Sequence, residues 1–336
     1  RQNYENPAIC AFCASPCKKK CGRKQKYNRD EVRAAILLLP KHCLGTGGLH
    51  YARIINLILA LAKAKQPLTL QKINISMSDS ILLQVENGVA TITLNRPKVF
   101  NSFNREMAFA MQSALDQCAT DEKVRAVLIT GEGKAFCAGQ DIQEITNPEL
   151  HPGFKAILDD HYNPIVLKIR NLEKPVIAAV NGVAAGAGAN LALCCDVVIA
   201  TESAAFIQAF SKIGLIPDSA GTFFLPRLIG FGKASAAMML ADKISATEAD
   251  QMGMIYKAVP DADFLGIAQK TAQKLAALPT VALANTKKAL NQSFYNTVEE
   301  QLALESKLQI ESAATEDYAE GVASFMEKSK PGFKGK

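Results

Sequence analysis

The sequence predicts an α/β fold, and three observations carry that prediction. Short apolar runs of strand length, such as VRAVLIT (124–130) and PVIAAV (175–180), alternate with amphipathic stretches of helical length. Two glycine-rich turns, TGEGKAFCAGQD (130–141) and NGVAAGAGANLAL (181–193), each follow such a run. Beyond about residue 232 the chain reads as helix throughout.

Taken in order, the first element is a hairpin. ILLQVENGVATITL (81–94) alternates around Asn87-Gly88, a pair that accepts the positive φ angles of a two-residue turn. The chain then turns on Pro97 and shows apolar residues at helical spacing from Met107 to Leu115. After the strand at 124–130 the cycle repeats, with a helix near 154–172, a strand at 175–180, a small-residue helix from about 186 and the strand DVVIA (196–200). Five helical stretches follow, from KASAAMMLAD (233–242) to NTVEEQLALESKLQIESAA (296–314). Ser245 before TEA and Thr297 before VEE have the form of helix N-caps with acidic first turns.

Charge divides the chain. Residues 1–76 hold 14 Lys and Arg against 3 Asp and Glu, a net +11; residues 77–336 hold 24 against 29, a net −5. Cysteines divide the same way. Cys10, Cys13, Cys17 and Cys21 form C-x2-C-x3-C-x3-C in the basic part, followed by Cys43, but the spacing matches neither the common ferredoxin nor the zinc-ribbon pattern, and no metal site is expected. Cys118, Cys137, Cys194 and Cys195 sit among apolar or small residues, as reduced thiols of a cytoplasmic protein do. The basic run KKKCGRKQK lacks interleaved aromatics, so a solvated tail is favoured over a nucleic-acid site. An acid-poor transit peptide is the other reading, set against by its many Cys and few Ser. IINLILALA (54–62) is far short of the roughly 20 residues of a membrane helix. The expectation is that the native domain starts at Met77, with residues 1–76 outside it, an α/β core over 77–265 and a helical region over 266–336.

Neither glycine turn is a dinucleotide fingerprint. Gly131-x-Gly133 is followed by Phe136 where a third glycine is needed, and Gly186-x-Gly188 by Leu191. Neither carries a nucleotide-binding lysine of the P-loop kind. What both offer is main-chain N–H groups in segments stripped of side chains, which is what an oxyanion hole requires; close helix–sheet packing accounts for the same glycines.

The blocks NRPKVFNSFN, GKAFCAGQDI, KPVIAAVNGVAAGAGANLAL, CDVVIA, FSKIGLIPDSAGT and FMEKSKPGFKGK, in that order, resemble the enoyl-CoA hydratase/isomerase (crotonase) superfamily over residues 79–336. The resemblance implies a crotonase-like fold of repeated strand–strand–helix units with a C-terminal helical trimerisation region. It implies a homotrimer or dimer of trimers, a coenzyme A thioester as substrate, and no cofactor besides. The oxyanion amides carry over to Gln140 and Ala187. Coenzyme contacts carry over to Ala138, Gly139, Gln140, Asp141, Lys98, Phe325 and Lys328, with Arg96 beside Lys98 facing the phosphates. An acyl pocket carries over to Asn163, Asn190 and Phe210.

Hydratases of the superfamily resemble one another in two glutamates, whose positions here hold Asn190 and Phe210. Asp218, in GLIPDSAGTFF, stands where isomerases of the superfamily carry an aspartate, notably those acting on the ring epoxide of phenylacetate breakdown. The reading is therefore an isomerase that moves protons with Asp218, desolvated by Ile213, Ile216 and Phe223. An enoyl-CoA hydratase and a non-catalytic or RNA-binding member stand as alternatives. Local sequence alone allows Asp218 to be a helix cap instead. Asp141 reads first as a cap of the next helix, and His151 and His161 as satisfied surface or edge histidines.

Overall fold

The computed structural model describes residues 79–336, which lie in a unit running Ser76–Lys336. The expectations for residues 1–76, the four-cysteine stretch among them, fall outside the described residues.

The hairpin forms as its turn residues dictate. β1 (Ile81–Glu86) pairs antiparallel with β2 (Val89–Leu94), Glu86 facing Val89, and Asn87 and Gly88 take φ of 50° and 80°. α1 (Arg105–Thr120) starts where the Asn104 side chain accepts the Met107 N–H at 3.0 Å. Its Met107, Met111, Ala114 and Leu115 recur at helical spacing and are buried.

The chain then writes one strand into each of two sheets, three times. β3 (Ala126–Gly131) and β4 (Ala135–Cys137) are followed by α2 (Ile142–Thr146), α3 (Phe154–Ala156), a π-helical segment Ile157–Tyr162 and α4 (Asn163–Asn171). β5 (Val176–Val180) and β6 (Val183–Ala185) are followed by α5 (Ala187–Leu193). β7 (Val197–Thr201) and β8 (Ala205–Ile207) lead into a 3₁₀ turn at Ala209–Ile213, α6 (Gly221–Ile229) and α7 (Phe231–Leu240). Two short strands follow, β9 (Lys243–Ser245) before α8 (Ala246–Gln251) and β10 (Lys257–Val259) before α9 (Phe264–Ala276). The chain closes with α10 (Thr280–Gln292), α11 (Val298–Ala313) and α12 (Glu316–Glu327). Ser245 and Thr297 cap α8 and α11 in full capping boxes with Glu248 and Glu300, as expected.

The larger sheet runs β1-β2-β3-β5-β7-β10, parallel beyond the hairpin, and the smaller β4-β6-β8-β9. Alternate residues of the central strands face opposite ways. Ile129, Ala178 and Ala200 join the core beneath α1, α4 and α5, whereas Leu128, Ile177 and Ile199 pack on Phe264, Ala268, Ala272 and Ala276 of α9. The four-residue spacing of those alanines gives α9 a stripe of small side chains for close docking.

Two expectations are corrected here. The stretch beyond 232 is not wholly helical, because β9 and β10 add edge strands of three residues each, too short to show a two-residue period. The boundary at 265/266 falls inside α9, and that helix belongs to the core because it buries the second face of the larger sheet. Among the described residues no helix is long and apolar enough to cross a membrane.

Candidate functional site

The two glycine turns meet. Phe103 donates its N–H to the Gly139 carbonyl at 2.7 Å and accepts the Asp141 N–H at 2.8 Å, in a parallel bridge opposite Gln140. A residue bracketed in this way turns its own N–H away from the bridging strand, so the Gln140 N–H faces away from Phe103. Gly139, at φ 90°, backs onto the second turn: a Cβ there would lie 2.9 Å from the Ala185 oxygen and 3.4 Å from the Ala187 nitrogen. Ala187 is the first residue of α5, so its N–H belongs to the opening turn that has no acceptor within the helix. Packing and backbone conformation account for two of the glycines. A Cβ at Gly188 would run into Cys137, which is the packing role, while Gly186 takes φ 53° and ψ −128°, which a side chain disfavours.

Asp218 lies in the loop between the 3₁₀ turn and α6 and is half-buried. Its carboxylate accepts the Ser219 hydroxyl at 2.8 Å and does not cap α6; the Gly221 N–H goes to the Asp218 main-chain carbonyl at 2.9 Å, and the N-cap position is Ala220. Ser219 and Ala220 take φ of 51° and 60°, two successive left-handed residues without glycine's freedom, a strained turn of the kind found at functional sites. Burial raises the Asp218 carboxyl above its ordinary value, and the Ser219 bond offsets only part of that. Ile213 and Ile216 do not provide the burial, being 61% and 81% exposed. Phe223 is occupied in an aromatic cluster with Phe224, Phe294 and Tyr295, beneath Arg227.

Several expected site residues have other employment. Asn190 is fully buried: its Nδ2 donates to the Asp218 carbonyl at 2.8 Å and its Oδ1 accepts the Gln208 amide at 2.8 Å, so it holds the loop rather than lining a pocket with free polar groups. Phe210 is buried beside the second turn, its ring 3.8 Å from where a Gly186 Cβ would sit. Asp141 caps α2 through the Gln143 N–H at 2.9 Å, as its position before that helix led one to expect, and pairs with Arg96 at 2.8 Å. Lys98, Phe325 and Lys328 are exposed, the last two at the end of α12. Ala138 donates its N–H to the Phe100 carbonyl at 2.9 Å. His151 is half-buried and accepts the Gly153 N–H, whereas His161 is buried, contrary to the edge position expected, and burial holds its imidazole below the ordinary value.

Asn163 is exposed, and the residue directed inward is its neighbour Tyr162. Helical spacing back from Ile165, Val166 and Ile169 points to 162 and not 163, a signal present in the sequence. Glu144 was also not foreseen: buried, it accepts the Arg105 N–H and the Gln140 side-chain amide, each at 2.7 Å, and so fixes the first turn. A polar cleft of about 400 Å³ at the ends of β2, β3, β5 and β7 contains none of these groups; of its two carboxylates, Glu132 and Asp261, the latter is bonded to the Thr201 hydroxyl and the Ser203 N–H.

Comparison with known proteins bears on the family and the fold. Residues 84–336 match the enoyl-CoA hydratase/isomerase family. The chain is 46% identical over 264 residues to 1,2-epoxyphenylacetyl-CoA isomerase of Escherichia coli, covering 77% of this chain and 100% of the relative. It is 36% identical over 261 residues to short-chain-enoyl-CoA hydratase of Clostridium acetobutylicum, covering 77% and 99%. The crystal structure of enoyl-CoA hydratase from Bacillus anthracis superposes with a TM-score of 0.72 at 33% identity, over 76% of this chain and all of that one. The fold is thus crotonase-like, and the chain belongs to the enoyl-CoA hydratase/isomerase family.

Proposed function

We propose that this protein is an isomerase of coenzyme A thioesters that moves protons with Asp218. The observation that carries the reading is the Asp218 carboxylate itself: half-buried, raised in pKa, and not used as a helix cap. The two positions at which hydratases hold glutamates supply no second carboxylate, because Asn190 is spent on the Asp218 carbonyl and Phe210 is apolar.

In a 3-enoyl thioester, the carboxylate takes a proton from the carbon next to the carbonyl, and the electron pair passes into the carbonyl to give an enolate. The enolate oxygen accepts from the Gln140 and Ala187 N–H groups, each able to contribute on the order of 3 kcal/mol to the transition state. Asp218 then returns the proton at the far carbon, and the double bond has moved with no atom gained or lost. In a ring-1,2-epoxyphenylacetyl thioester, the carbon–carbon bond beneath the oxygen opens to a seven-membered oxepin, and the carboxylate transfers a side-chain proton to the ring. Similarity to the Escherichia coli isomerase supports the second substrate. The coenzyme is part of the substrate, and no other cofactor enters.

The assembly proposed with this chemistry is a homotrimer or dimer of trimers through the C-terminal helices, where Val298, Leu302 and Ile310 are exposed. The experiment is single-turnover conversion of both thioesters by the wild type and Asp218→Asn, with crotonyl-CoA hydration measured alongside. Loss of both isomerisations with coenzyme binding retained supports the reading. Hydration of crotonyl-CoA at a rate matching or exceeding isomerisation replaces it with a hydratase.

A further inference from the structure

Among the described residues, four buried side-chain polar atoms have no hydrogen-bond partner: Gln140 Oε1, His161 Nε2, Tyr162 Oη and Gln208 Oε1. Buried polar groups are nearly always bonded, so each exception asks for a partner that the chain does not supply. Gln140 lies in the first glycine turn and Gln208 holds Asn190, so two of the four belong to residues of the site.

Tyr162 brings a hydroxyl that can donate. It is 1% exposed, and its ring packs at 5.9 Å against Phe103, the residue whose backbone brackets Gln140. That packing sets the tyrosine beside the first glycine turn, through the residue that bridges Gln140. It ends a π-helical segment, a rare distortion that recurs at functional sites because it re-aims one side chain. Burial keeps the phenol protonated well above its ordinary range, so it donates and does not act as a base.

We propose that the Tyr162 hydroxyl donates a hydrogen bond to an oxygen on the ring of the acyl group, so that the site prefers an oxygen-bearing aromatic thioester to its all-carbon counterpart. The inference rests on the coenzyme A thioester reading of the site. An all-carbon ring leaves the hydroxyl without an acceptor, and discrimination by an unpaired buried group exceeds that of a mere change in size.

The test is equilibrium binding of phenylacetyl-CoA and 2-hydroxyphenylacetyl-CoA by the full chain and by Tyr162→Phe, which needs no turnover. The wild type is expected to hold the hydroxylated thioester about tenfold more tightly. Tyr162→Phe is expected to bring the ratio to about one, with phenylacetyl-CoA affinity and melting temperature not reduced, because the substitution removes only an unbonded oxygen. A wild type with no preference, a variant that keeps the preference, or an equal loss of both thioesters overturns the proposal, the last by giving Tyr162 a structural role. If Asp218→Asn still isomerises thioesters, the catalytic reading fails independently of this binding ratio. If the wild type binds neither thioester, both fail.

Discussion

The Asn190 side-chain amide donates to the main-chain carbonyl of Asp218 at 2.8 Å, from α5 to a loop 28 residues further along the chain. The same carbonyl accepts the Gly221 N–H at 2.9 Å. Asp218 is thus fixed by its backbone, which leaves its carboxylate available. Asn190→Ala removes one donor and strands the Gln208 amide, a cost of about 1–3 kcal/mol. The expected outcome is a lower denaturation midpoint together with a kcat loss larger than any change in KM. Gly221→Ala should act through the same contact, since its Cβ would overlap the Asn190 amide.

Asp218→Asn keeps the size of the side chain and the Ser219 contact while removing the base. Isomerisation is expected to fall by roughly 10²–10⁴-fold, the range of a lost general acid–base group, with coenzyme binding unchanged. Single-turnover rates and calorimetric binding check the two halves separately.

The pH dependence follows from the direction of the Asp218 shift. Only the carboxylate accepts a proton, so kcat/KM rises with pH through a folded-state pKa that burial has moved upward, and the acidic limb lies above the ordinary carboxylate range. Stability runs the other way. The fold favours the neutral acid, so this group's contribution is fully present below the unfolded pKa and is lost as pH rises through the folded one. The stability of Asp218→Asn relative to the wild type should therefore increase over that window, measured by denaturation at a series of pH values.

Asp196 joins Arg170 at 3.0 Å and the buried Lys287 of α10 at 2.8 Å, and Lys287 also donates to the Ile169 carbonyl at 2.7 Å. Burial lowers the Lys287 pKa in spite of its partner. Asp196→Ala leaves that cation unpaired and should cost about 3–5 kcal/mol, whereas Lys287→Met leaves Asp196 still bonded to Arg170 and should cost less. Denaturant titration of the two variants tests the order.

Cys118, Cys137, Cys194 and Cys195 are buried as free thiols, and burial pushes Cys118 to about 11 and Cys137 to about 12. Peptide-resolved alkylation at neutral pH should leave all four unmodified in the native protein and label them after unfolding.

Much of the fold was legible locally. The Asn87-Gly88 turn, the capping boxes at Ser245 and Thr297 and the strands at 124–130 and 175–180 are encoded within a few residues of sequence, and each formed where expected. The three-residue strands β9 and β10 were not legible, because their partners lie about 40–60 residues away and a strand that short carries no alternation of its own. The burial of Tyr162 in place of its neighbour Asn163 was legible, since the spacing from Ile165 and Ile169 already faced it inward.

By itself the sequence determined the family blocks, the order of strands and helices, and Asp218 as the carboxylate to question. Whether that carboxylate capped a helix or stood available was decided only when Gly221 and Asn190 both took its main-chain carbonyl. The pairing of Arg96 with Asp141, 45 residues apart, was likewise settled only by packing. The reason is one of range: propensity, caps and turns act over a few residues, while the partner of a buried charge or carbonyl is whichever group the sheets and helices bring within 3 Å.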